Sequence, residues 1–143
     1  PPANNPSWGR RLAALVYDLL LAGAVIIIAT LVYVIGSTYL TANAVIPPGD
    51  PLLRLYLLAF LYLLFVGSWV RDGATLGMRA WRLRIVNSAG HNPSLGQAST
   101  RFFLAILSWL TAGGGFFWAL FDPERRTFHD RFAGTWLTQR DPR

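Results

Sequence analysis

Cysteine is absent from the 143 residues, which excludes a disulfide, a thiolate metal site and a cysteine nucleophile. Lysine is absent too, so all 13 basic residues are arginines and no lysine-bearing phosphate loop can be built. Charge of either sign is scarce, at 14% of residues against about 25% in a soluble domain. That is too little to cover a surface in water, and mean hydropathy is +0.37. Histidine occurs only as His91 and His129, in unrelated motifs. A metal centre needs more ligands at workable spacing, and a nucleophile–base–acid set cannot be assembled from these two. The chain therefore reads as non-enzymatic, with no metal and no cofactor.

Two apolar runs are present, each long enough to cross a bilayer core, which takes about 20 residues. The first covers residues 12–40. It is too long and lacks the flanks for a cleaved signal peptide. Pro1 is expected to follow removal of an initiator methionine. Ser7 can cap the helix start. Pro47-Pro48-Gly49-Asp50-Pro51 then stops one helix and opens the next, with Asp50 as cap and Pro51 in the first turn. The second run covers residues 52–70. Net charge is +6, but the arginines flank apolar segments and form no block. They read as topological and headgroup charge, facing anionic lipid and not nucleic acid.

Trp81-Arg82-Leu83-Arg84-Ile85-Val86 alternates apolar and cationic, the strand period, and Asn87 to Asn92 is turn chemistry. A short amphipathic hairpin on the inner membrane surface is expected. Ser94-Leu95-Gly96-Gln97 matches a capping box. The third apolar run, residues 102–121, is broken by Gly113-Gly114-Gly115. A plain crossing would put Arg125, Arg126, Arg131, Arg140 and Arg143 on the side opposite the other arginine-rich segments, against the positive-inside rule. A re-entrant path that turns at the glycines keeps them together, and a true third span is the alternative. Residues 125–136 space Phe128, Phe132 and Trp136 by four, as in an interfacial helix. The predicted fold is an all-α membrane bundle with two full spans, this glycine-broken third segment and the cytoplasmic hairpin. Residues 1–6 and 139–143 are expected to be tails around one membrane domain, residues 7–138.

Asp18 is the most telling residue, since nothing else is charged between Arg11 and Asp50. A carboxylate within a membrane helix is expensive, so it needs a partner or a task. Arg11 shares nearly the same helix face but lies about 10 Å away along the axis. The expected partners of Asp18 are instead Arg71, Arg79, Arg101 and Arg126. The contact is either a structural ion pair or a proton- or cation-binding site. Asp72-Gly73-Ala74-Thr75-Leu76-Gly77 reads as a tight helix-end turn in which Gly73, Thr75 and Gly77 allow close packing and Asp72 joins the charge network. Asp130 is expected to bond backbone or arginine at the surface. Gly134 and Thr135 read as a helix stop with a hydroxyl to satisfy a free polar group.

Arg10-Arg11-Leu12-Ala13-Ala14-Leu15-Val16-Tyr17-Asp18, the segment Asp72 to Gly77, and Arg126-Thr127-Phe128-His129-Asp130-Arg131-Phe132-Ala133-Gly134-Thr135 together resemble the RDD family of bacterial membrane proteins. That family is named for one arginine and two aspartates. Members usually place a basic residue directly after the second motif, whereas here Met78 precedes Arg79. The resemblance implies a bacterial inner-membrane protein, multi-pass, and the arginine distribution puts both termini in the cytoplasm. It also implies possible kinship with ion or small-solute transport, through Arg11, Asp18 and Asp130. The alternative is a non-catalytic accessory or scaffold subunit in a larger membrane complex. With so few spans, a homo-oligomer or such a complex is expected. A cheap discriminator is that a scaffold needs every carboxylate near the membrane paired, while a carrier needs one that is reachable and titratable.

Overall fold

A computed structural model of the chain describes residues 5–41, 45–111 and 114–139. Its elements in order are α1 (Trp8–Leu40), α2 (Pro51–Asp72), α3 (Leu76–Ala80), β1 (Leu83–Asn87), α4 (Leu95–Leu110), α5 (Gly114–Phe121), α6 (Phe128–Ala133) and β2 (Thr135–Gln139). Most of the described tail residues carry no regular structure, and the rest of both predicted tails lies outside the described residues.

Helices α1 and α2 have 33 and 22 residues. At 1.5 Å per residue they reach about 50 and 33 Å, against a hydrocarbon core of about 30 Å. Only 6% of the most apolar stretch of α1 and 11% of that of α2 lie inside the protein. A helix in the core of a soluble protein would be covered; here Leu20, Ile27, Leu31 and Leu63 stand outward. Such surfaces suit lipid and not water, as in a membrane protein. Asp50 caps α2 through the Leu52 N–H at 3.2 Å, with Pro51 following, as its sequence predicts. Asp50 also accepts from the Tyr33 hydroxyl at 3.0 Å, which ties α2 to α1 near that end.

Everything else gathers at the opposite end. Gly73, at φ 66°, closes α2 in the left-handed conformation that glycine adopts without a Cβ clash. Asn92 completes the closure: its amide donates to the carbonyls of Arg71 at 2.9 Å and Val70 at 3.3 Å. The Ile85 N–H bonds the Gly73 carbonyl at 2.7 Å, seating β1 on the helix end. Val66, Trp69, Ile85, Ala98 and Phe102 form the buried core there, drawn from α2, β1 and α4. The Ser94–Gln97 capping box opens α4 as read from the sequence.

Three expectations change. The fold is mostly helical but not all-α, because β1 pairs antiparallel with β2 in a two-stranded sheet, Ile85 opposite Leu137. The local hairpin does not form, since Pro93 and the Ser94 cap begin a helix where its second strand would lie. The interfacial helix of residues 125–136 shrinks to α6, because Gly134 at φ 66° ends it and Trp136 continues in a strand. The third apolar run is two helices, α4 and α5, whose join at Ala112 and Gly113 lies outside the described residues. Gly115 packs on Ser108, and α5 and α6 both lie against α4.

Candidate functional site

The Gly73 turn delivers Thr75 and Gly77 to the flank of α1. The Thr75 hydroxyl donates to one Asp18 oxygen at 2.5 Å, and the Gly77 N–H donates to the other at 3.0 Å. Thr75 also caps α3 by accepting from the Met78 N–H at 3.3 Å. Asp18 is 7% exposed and Thr75 3%. Its partners are therefore a hydroxyl and an amide, not the arginines expected. Arg79 pairs with Asp72 on the exposed surface, and the Arg71 side chain, also exposed, makes no ion pair among the described residues. Two neutral donors answer the desolvation of the carboxylate and hold α1 to α3, but they leave its net charge uncancelled.

Gly77 is what lets the helices come this close. A Cβ there would sit 2.6 Å from the Ala14 carbonyl oxygen and 2.7 Å from the Asp18 carboxylate.

The second carboxylate, Asp130, is where an arginine is found. Arg101 of α4 forms a buried ion pair with it, the two side chains 6% and 2% exposed. The Thr127 hydroxyl donates to Asp130 at 2.6 Å and the Thr135 hydroxyl at 3.2 Å. Thr127 stands at the start of α6, three residues before Asp130, so its hydroxyl reaches that carboxylate within the first turn. Arg101 also lies over the Trp69 ring, 5.0 Å from its centroid. Burial, and then the charge of Arg11, push Arg101 down to about 9, so it stays cationic at neutral pH. His129, buried beside them, is held well below its ordinary 6.5 by burial and then by the Arg101 charge.

The remaining sites fasten the C-terminal segment. Arg126 donates to the carbonyls of Asp130 and Thr135 at 3.1 and 3.2 Å and lies over Trp136 at 4.1 Å. Gly134 closes α6 beside it. Asp122 has no part in the sequence-derived site, yet its buried carboxylate accepts from the Glu124 and Arg126 N–H groups and from Arg131 at 3.0 Å. Arg11 reaches over from α1 to the Arg125 carbonyl at 2.7 Å. The predicted Arg11–Asp18–Asp130 set is thus two centres: Asp18 of α1 held by the Thr75 cap and Gly77 of α3, and Arg101–Asp130 between α4 and α6 with Arg11 nearby.

Two outcomes follow. Gly77→Ala is expected to lower stability by about 1–3 kcal/mol through overpacking, while Gly96→Ala, whose Cβ would meet only the Ser94 hydroxyl at an ordinary 4.0 Å, is neutral or stabilising. Melting of the two variants in detergent checks the contrast. Because the folded pKa of His129 lies below its unfolded value, its contribution is complete above about pH 6.5. It is lost as pH falls below that value, where the unfolded chain binds the proton more readily. The melting temperature should decline from pH 7 to 5, and His129→Asn should flatten that limb.

Comparison with known proteins bears on the whole arrangement. The RDD family profile matches residues 5–134. A protein of Rickettsia prowazekii (strain Madrid E), described only as uncharacterized, is 36% identical over 72 residues, half of this chain. That match covers 39% of the relative, so the chain spans about two fifths of its length. No solved structure matches the chain. With the three motifs in order and the profile covering nearly all of the sequence, the chain belongs to the RDD family.

Proposed function

We propose that this membrane protein is a non-catalytic accessory or scaffold subunit, packing its uncovered helices against copies of itself or a larger membrane complex. One observation carries the reading. Asp18 and Asp130 are both buried and held by internal donors, while the apolar flanks of α1 and α2 stay bare. Groups committed to joining elements are poorly placed to bind and release a solute.

The end that gathers α3, β1, α4, α6 and β2 also carries ten of the thirteen arginines, with Arg54 near the other end and Arg140 and Arg143 outside the described residues. By the positive-inside rule that end faces the cytoplasm of a bacterial cell, with both termini there and the protein multi-pass in the inner membrane. Helices α4 and α5, about 24 and 12 Å long, are each too short to cross alone, and Gly115 seated on Ser108 favours a re-entrant pair.

Ion or small-solute transport is the second reading, favoured by one fact: Asp18 has no cationic partner among the described residues. A proton or alkali cation would complete it.

Purified protein reconstituted alone into vesicles separates the two. The accessory reading expects proton and sodium flux equal to empty vesicles, together with a defined oligomer or complex by native mass measurement. Flux that Asp18→Asn abolishes, with melting unchanged, would overturn it in favour of transport. Orientation has its own check, because the chain has no cysteine. A membrane-impermeant thiol reagent applied outside spheroplasts should label Val45→Cys and spare Ser88→Cys.

A further inference from the structure

The face of α1 opposite Arg11 and Asp18 bears a feature the two buried centres do not use. An open groove of about 410 Å³ runs along Gly9, Leu12, Val16, Tyr17 and Leu20, with Trp81 forming one wall. At 3.6 residues per turn these α1 positions share one face, and Arg10 falls at its edge beside Tyr17. Its lining is almost wholly apolar, and Leu12 and Leu20 are largely uncovered.

We propose that this groove holds one anionic phospholipid, an acyl chain along α1 and the phosphate between Arg10 and Arg82. Length is the first argument. Gly9 to Leu20 rises about 16 Å, enough to run alongside an acyl chain. Charge is the second. Arg10 stands at the Gly9 end of the groove and Arg82 adjoins Trp81, and neither guanidinium forms an ion pair or hydrogen bond among the described residues. Most other arginines at this end are engaged: Arg79 by Asp72, Arg101 by Asp130, Arg131 by Asp122, and Arg84 by Asn92. Shape is the third. Gly9 has nothing within 4 Å of where its Cβ would be, leaving room for a glycerol backbone. Trp81 and Tyr17 are amphipathic rings suited to that depth. Arg82 sits at φ 56°, a left-handed conformation that arginine adopts at a cost. The site holds whichever side of the membrane this end faces.

The test uses the full chain in nanodiscs containing brominated-chain phosphatidylglycerol or brominated-chain phosphatidylcholine at equal mole fraction. Bromine quenches tryptophan on contact, and Trp81→Phe isolates the Trp81 share. The anionic lipid should quench that share many-fold more strongly, since each arginine near an anionic surface is worth about five-fold in partition. Arg10→Gln with Arg82→Asn should bring the two lipids level. Asparagine tolerates the left-handed conformation, so Arg82→Asn should keep or raise the melting temperature, separating lost selectivity from lost fold. If the pair fails to fold, Arg10→Gln alone should cut the preference about five-fold. Equal quenching by both lipids in the unaltered protein overturns the proposal, leaving only bulk lipid. Quenching by neither, with Leu12→Cys crosslinking into dimers, also overturns it, the groove then being covered by a second copy.

Discussion

Asp18 can leave water only because a turn from another part of the chain brings it hydrogens. Remove the Thr75 hydroxyl or the Gly77 amide and a buried carboxylate loses about 1–3 kcal/mol of compensation for each. Those donors are placed by Gly73, which turns the chain at the end of α2, and by Gly77, which admits the Ala14 backbone. Asn92 and β1 in turn brace the same helix end. The need to satisfy one acid at the edge of an apolar helix thus organises the whole polar end of the molecule.

A second centre works by a different rule. Arg101 and Asp130 are both out of water, and each is tolerable only because the other is charged and close. Such a pair adds little net stability over a well-packed apolar substitute, yet losing one partner costs about 3–5 kcal/mol. Its value lies in specifying which segments meet. Thr127, Thr135 and Arg126 fill the remaining bonding capacity around α6, so the closing motif of the family becomes a clasp on α4.

Much of this is legible in the sequence. The Asp50-Pro51 start, the Ser94–Gln97 capping box and the two long apolar helices follow from local chemistry, and local chemistry is what a sequence displays. Gly73, Thr75 and Gly77 mark a close-packed turn in the sequence, but nothing in their spacing says which residue they pack against. The arginines attracted the Asp18 assignment because charge is the obvious remedy for charge, whereas a hydroxyl and an amide serve as donors without advertising it. Aromatic spacing carried the predicted helix through Gly134 to Trp136, where the left-handed glycine stops it. The alternation of residues 81–86 identified a strand and could not name its mate, since strand pairing over such a distance leaves no mark on either segment alone.

That long-range pairing sets an order of events. During synthesis α1, α2 and β1 are complete long before Thr135–Gln139 is made. Until then β1 has an open edge, and the core around Ile85 is covered from α2, α3 and α4 without β2. The ribbon, and the Arg101–Asp130 clasp beside it, can close only after residues 128–139 have left the ribosome. The polar end is therefore completed well after α1 and α2 exist, and a chain cut short before β2 would leave β1 with an unpaired edge.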